Sequence, residues 1–156
     1  MYEKRFMEEA IRLAVENAKN GTGGPFGAVV VKDGKVIAAC GNSVTPDNDP
    51  TAHAEVNAIR EACRKLGVFQ LEGCEVYASC EPCPMCLGAI YWARPAKVYY
   101  ASTKEDAALA GFDDSFIYKE IALPEAGRSI PFLNEKEADA GKEFRLWKEN
   151  EGNVKY

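Results

Sequence analysis

The spacing of apolar side chains divides the chain into alternating helical and extended segments. Between Tyr2 and Asn20, Phe6, Ala10, Leu13 and Ala14 fall on one stripe at helical period, and Gly21 supplies a stop, so a helix is expected there. Gly27 to Lys32 and Lys35 to Cys40 are runs rich in β-branched residues. They are joined by Asp33-Gly34, a pair suited to the positive φ of a tight hairpin turn. A polar loop, Gly41 to Pro50, precedes a second helical pattern from Ala52 to Leu66, with Thr51 as the expected cap. Glu75 to Ser79 reads as a short strand. Pro84 to Ala93 reads as a helix opened by a proline-rich turn and ended before Pro95, and Lys97 to Ala101 as another strand. Thr103 to Asp106 has the form of a capping box and opens a helix that stops at Gly111. Glu135 to Asn150 is helical again, with Phe144 and Trp147 on one side. Strand and helix alternate from the middle onward, which predicts an α/β sandwich whose sheet is at least partly parallel. No repeat, low-complexity tract or linker interrupts residues 1–156, and they read as one domain.

Composition narrows the partners. The chain is 47% hydrophobic and 28% charged, values of a globular domain and not of a disordered one. Its formal net charge of −5 disfavours a protein whose main task is to hold a polyanion, so no nucleic-acid partner is expected. No apolar run approaches the ~20 residues of a membrane span, and Met1 to Asn17 is studded with charge where a signal peptide has an apolar core; a cytoplasmic protein is expected. In that compartment the six cysteines stay reduced. Three of them, Cys80, Cys83 and Cys86, lie within seven residues, a metal-like spacing. The single histidine is a sharper constraint: any chemistry that needs imidazole must use His53.

Two short segments carry the candidate chemistry, His53-Ala54-Glu55 and Pro82-Cys83-Pro84-Met85-Cys86, each at the start of an expected helix. Cys83 and Cys86 are three apart and so are neighbours on one helix face. A helix N-terminus favours thiolate over thiol. With His53 as a third donor, two thiolates and a neutral imidazole leave one position open on a tetrahedral zinc ion, the arrangement of a catalytic site and not of a closed structural one. Zinc lowers the pKa of a bound water to about 7. An amine leaves only if its nitrogen gains a proton, and Glu55, two residues from His53, is placed to carry one from water to a ring nitrogen and on to the leaving group. This His-x-Glu with Pro-Cys-x-x-Cys pattern is a general signature of zinc-dependent nucleobase deaminases.

Plainer readings explain less. A Cys83/Cys86 redox pair leaves His53-Ala54-Glu55 without a purpose. An iron–sulfur run of the bacterial type needs a fourth cysteine at position 90, which is Ile90. Cys80 reads as a strand-end residue near the site and not a ligand. Cys40, Cys63 and Cys74 read as small buried hydrophobes, and Phe112 and Phe116 as core.

Longer stretches extend the motif: Gly24-Pro25-Phe26-Gly27-Ala28, Asn48 to Glu55, Ser79 to Ala93, and Gly111-Phe112-Asp113-Asp114-Ser115-Phe116. Over nearly the whole chain these resemble the cytidine-deaminase-like superfamily of zinc-dependent nucleobase deaminases, and within it the short bacterial guanine deaminases. The resemblance implies a three-layer αβα sandwich with a five-stranded mixed sheet, one zinc ion per subunit, a homodimer, and hydrolysis of guanine, a small-molecule purine, to xanthine and ammonia. It also implies that the C-terminal segment, about 134–156, closes the pocket, which makes Tyr156 a site candidate.

Guanine offers N1–H and its 2-amino group as donors, and O6 and N7 as acceptors. Asp114 suits the donors, Asn42 suits the acceptor edge, and Phe26 suits the purine face, where stacking contributes about 1–3 kcal/mol. Read locally, Asn42 is equally an Asx-turn residue and Asp114 a helix cap. The candidate substrate contacts are therefore Asn42, Asp114, Phe26, Ala54 and Tyr156. Guanosine deaminases and tRNA adenosine deaminases share the zinc motif. A tRNA substrate calls for a basic C-terminal helix, whereas residues 134–156 carry five Lys/Arg against six Asp/Glu.

Overall fold

In the computed structural model, which describes residues 1–156, Asp33 and Gly34 both take positive φ (49° and 71°), and β1 (Gly27–Lys32) folds back on β2 (Lys35–Gly41) as the hairpin chemistry predicts. β3 (Cys74–Cys80) pairs antiparallel with the other edge of β1, and β4 (Lys97–Ser102) pairs parallel with β3, giving the order β2-β1-β3-β4. The parallel pair requires a crossover, which α4 (Pro84–Ala93) provides; α1 (Lys4–Asn20), α2 (Val44–Asp47) and α3 (Ala54–Leu66) precede it.

The sheet is mixed, as expected, but has four strands and not five. The reason lies beyond Ser102. Apolar β-branched residues are sparse there (Ile117, Ile121, Ile130 and Val154), and the chain forms helices: α5 (Lys104–Leu109), α6 (Ser115–Ala122), a 3-10 turn at Glu125–Gly127, and α7 (Lys142–Glu149).

Alternation along β1 divides the core. Val29 and Val31 meet Phe6, Met7 and Ala10 of α1 together with Tyr77 of β3. Ala28 and Val30 face the other side, against Ala54, Ala58 and Ala62 of α3 and Ala93 of α4. Because β1 is covered on both faces, its sequence is continuously apolar instead of alternating. The three alanines of α3, spaced four apart and fully buried, allow that helix to lie close to the sheet. Gly27 marks a similarly close approach by α1: a Cβ there would stand 2.2 Å from the Ala10 carbonyl oxygen.

Several boundaries differ from expectation. The loop after β2 contains a single helical turn, α2. The residue just before α3 is His53 and not Thr51, whose hydroxyl donates to Asp49 Oδ1 at 2.7 Å. The Thr103–Asp106 capping box forms as read. α7 starts at Lys142, seven residues later than the apolar pattern suggested, since Gly141 takes φ 90° and breaks any earlier helix.

The chain divides into two compact units, residues 1–115 and 116–156. The second is held within itself by Glu120, which accepts from Ser129 N at 2.7 Å and from its hydroxyl at 2.8 Å, and by Arg128 lying over the Phe132 ring. Its apolar side chains, Phe132, Leu133, Phe144 and Trp147 among them, are exposed. No helix of the protein is long and apolar enough to cross a membrane.

Candidate active site

His53 and Cys83 occupy the same position on different helices. Each is the residue just before the first helical turn, His53 of α3 and Cys83 of α4, with extended backbone (ψ 153° and 170°), and neither side chain caps its own helix. They turn toward each other instead. His53 Nδ1 lies 3.5 Å from Cys83 Sγ and 3.5 Å from Cys86 Sγ, and the three donor atoms all fall within 4.8 Å of one another. Pro84 at the first turn of α4 fixes φ without sacrificing a needed N–H, and Cys86 follows on the same face, fully buried.

This spacing fits a metal. Zinc bonds of about 2.0–2.1 Å to nitrogen and 2.3 Å to sulfur at a tetrahedral angle put the two donors about 3.6 Å apart. The donor set of one imidazole and two thiols suits zinc above oxygen-seeking cations. The electrostatics agree. A hydrogen bond from Cys86, aided by His53, holds Cys83 as a thiolate with its pKa down to about 4, and the proton shared in this pair raises that of Cys86. The same thiolate raises the pKa of His53.

Glu55, in the first turn of α3, is buried at 7% exposure, and its Oε2 lies 3.5 Å from Cys86 Sγ. Burial raises its pKa above the ordinary carboxylate value, the direction a proton carrier near neutral pH requires. Cys80 closes β3, donates to the Thr103 carbonyl at 3.4 Å and stays a thiol, its pKa pushed up to about 11 by burial. It stands outside the three-donor cluster, as the sequence suggested. Cys74 is buried, and Cys40 and Cys63 pack on the core half-buried.

Asn42 follows β2, buried at 7% exposure. Its Oδ1 accepts from Gly24 N at 3.1 Å and Val44 N at 3.2 Å, so the amide orientation is set by two backbone donors. Asn42 N donates to the Phe26 carbonyl at 3.0 Å, and the next residue, Ser43, donates to Ala52, the neighbour of His53, at 2.9 Å. Phe26 is half-buried, its ring edge-on to Phe112 at 5.1 Å. At Asp113-Asp114 the local turn bond belongs to Asp113, which accepts from Ser115 N at 2.8 Å. Burial and the charge of Cys83 raise the pKa of Asp114, which places that carboxylate within electrostatic reach of the cluster. Ala54 is fully buried against the sheet. Tyr156 belongs to the second unit and is exposed.

Two side chains that motif spacing did not single out, Asn17 and Asn57, bond the backbone around Asn42. The available signal was their position: asparagine is disfavoured inside helices unless its amide serves something nearby.

An αβα sandwich with a His/Cys/Cys cluster at two helix N-termini and a buried carboxylate beside it defines a zinc-dependent deaminase domain. Residues 1–102 match the cytidine and deoxycytidylate deaminase zinc-binding region, and the chain belongs to that family. It is 57% identical over 148 residues to guanine deaminase of Bacillus subtilis (strain 168), an alignment covering 95% of each chain. The X-ray structure of guanine deaminase from Bacillus subtilis superposes with a TM-score of 0.97 at 55% identity, covering 100% of this chain and 99% of that one. A tRNA-specific adenosine deaminase of Aquifex aeolicus (strain VF5) is 44% identical over 102 residues, 65% of this chain and 67% of that one.

Proposed function

We propose that this protein hydrolyses guanine to xanthine and ammonia. The observation that carries the choice of substrate is the similarity to a guanine deaminase over 95% of both chains, whereas the similarity to the tRNA deaminase covers 65% of this one. His53, Cys83 and Cys86 would hold zinc, which when bound supplies a water activated at neutral pH.

The chain's own residues supply the rest. Glu55, desolvated and raised in pKa, takes one proton from the attacking water and delivers it to a ring nitrogen of the base, then takes the second from the hydroxyl newly bonded to C2 and passes it to the 2-amino group, so that the C2–N bond breaks, ammonia departs and C2 is left as a carbonyl. Asn42 Nδ2 donates to the acceptor edge of guanine and the Asp114 carboxylate accepts from its donor edge. Phe26 stacks on the ring. Ala54 contributes its backbone N–H, which at the first position of α3 has no intrahelical acceptor. Residues 1–156 act as one deaminase domain. The protein works in the cytoplasm on a free purine and forms a homodimer. Leu87, Tyr91 and Trp92 on α4, exposed at 39%, 75% and 63%, support a partner copy there.

Ammonia release from guanine, guanosine, adenine and cytosine by the zinc-loaded protein tests the proposal. Release from guanine is the expected result. Release from guanosine but not guanine keeps the chemistry and overturns the substrate, and silence on all four overturns both. Size-exclusion chromatography with light scattering tests the dimer.

A further inference from the structure

Asn42 is held from both faces of the sheet. From α1, Asn17 Nδ2 donates to the Asn42 carbonyl at 2.7 Å and to the Gly24 carbonyl at 3.1 Å. From α3 on the opposite face, Asn57 Nδ2 reaches Ser43 Oγ at 2.9 Å, the Gly41 carbonyl at 3.1 Å and the Ala52 carbonyl at 3.2 Å. One amide therefore ties together the residues on either side of Asn42 and the residue before His53. The backbone N–H of Asn57 adds a bond to the His53 carbonyl itself at 2.9 Å.

The packing is shaped to these contacts. A Cβ at Gly23 would stand 2.1 Å from the Asn42 carbonyl oxygen, and one at Gly41 would stand 2.9 Å from Asn17 Nδ2. Larger residues at either place would displace the amides. Both asparagines sit in helices, where their side chains ordinarily compete with the backbone. Here each amide leaves its helix to satisfy loop carbonyls in a half-buried place, where a missing donor is costly.

We propose that Asn17 and Asn57 are positioning residues for base recognition. Together they fix the backbone at Asn42, so that its Nδ2 keeps one direction and one register relative to His53. This rests on the reading of Asn42 as a base contact. Asn42 Oδ1 bonds Gly24 N and Val44 N, so the plane of its amide follows the backbone at 24 and 44. Asn17 holds the first of these segments and Asn57 the turn that leads into the second. A donor displaced by an ångström loses most of its value in a pocket that must orient a planar ring.

The test is a double-mutant cycle. kcat and KM for guanine are measured for Asn17→Ala and Asn57→Ala, each alone and combined with Asn42→Ala, with zinc content and Tm recorded for every variant. Each single change is expected to lower kcat/KM about tenfold, mostly through KM, with zinc retained. The same change is expected to cost less than about twofold once Asn42 is already alanine. Asn17→Asp and Asn57→Asp remove the donor while keeping the shape, and supply the same cycle where an alanine variant does not fold. Equal losses in both backgrounds, or a lowered Tm with unchanged KM, would overturn the proposal and leave the two asparagines as scaffold. Unchanged kcat/KM in Asn42→Ala itself would overturn the base-contact reading, and this one with it.

Discussion

Glu55 Oε2 lies 3.5 Å from Cys86 Sγ, a contact between two helices that sets a buried carboxylate against one of the proposed metal thiols. The carboxylate is desolvated while the thiol neighbour is one that zinc would turn to thiolate, so Glu55 is exposed to both charges of the site. Glu55→Gln keeps the shape and the buried position but removes the proton carrier. Zinc content and fold should stay as in the parent, and kcat should fall by about 10²–10⁴. Near-normal turnover with zinc bound would remove Glu55 from proton transfer.

Cys83 and Cys86 test the donor set. Cys83→Ala leaves one imidazole and one thiol, too few for a tight tetrahedral site, and should lose zinc and activity together. Elemental analysis after dialysis against a chelator checks this. Full metal retention would exclude Cys83 as a ligand. Cys80→Ala is the comparison and should keep its zinc, because Cys80 Sγ is bonded to the Thr103 carbonyl.

Burial and the charge of Cys83 raise the pKa of Asp114, whereas Asp113 takes the turn bond to Ser115. Asp114→Ala should therefore raise KM for guanine by about tenfold or more, the loss of a charged hydrogen-bond acceptor, with zinc and Tm preserved. A fall in Tm with unchanged KM would reduce Asp114 to a cap.

Asp49, in the loop before His53, accepts from Thr51 N at 2.8 Å and Thr51 Oγ at 2.7 Å. These hydrogen bonds lower its pKa below the ordinary 3.8. A folded-state pKa that is depressed contributes stability that is complete above the unfolded value and is lost as pH falls through the folded one. The Asp49 contribution should thus be constant from pH 7 down to about 4 and vanish only below that. Thermal melts of the parent and Asp49→Asn against pH check this: the gap in Tm should be flat over that range and narrow below it.

The tail is tested by truncation. Removing residues 154–156 should raise KM for guanine if Tyr156 helps close the pocket. Parent kinetics after truncation would place Tyr156 outside the site.

Much of this site was legible along the chain because its signals are local. The spacing of Cys83 and Cys86 is a helix repeat, and Pro84 marks where that helix starts. His53-Ala54-Glu55 sits where an apolar period begins, and Asp33-Gly34 announces its hairpin through backbone conformation alone. What failed was also local in cause. Thr51 has the chemistry of a cap but spends its hydroxyl on Asp49, and an apolar pattern over Glu135 to Asn150 says nothing of the positive φ at Gly141 that delays α7.

By itself the sequence determined the candidate donor types, the buried carboxylate proposed as proton carrier, the order of most elements and the α/β class, because each follows from neighbours a few residues apart. Only the tertiary structure decided the rest. It brought His53 to within 3.5 Å of a thiol thirty residues away, limited the sheet to four strands, and closed two helix amides from opposite faces around Asn42. Those relations depend on how β1 is covered on both sides and how closely the alanines of α3 let that helix approach, and packing of that kind has no period along the chain.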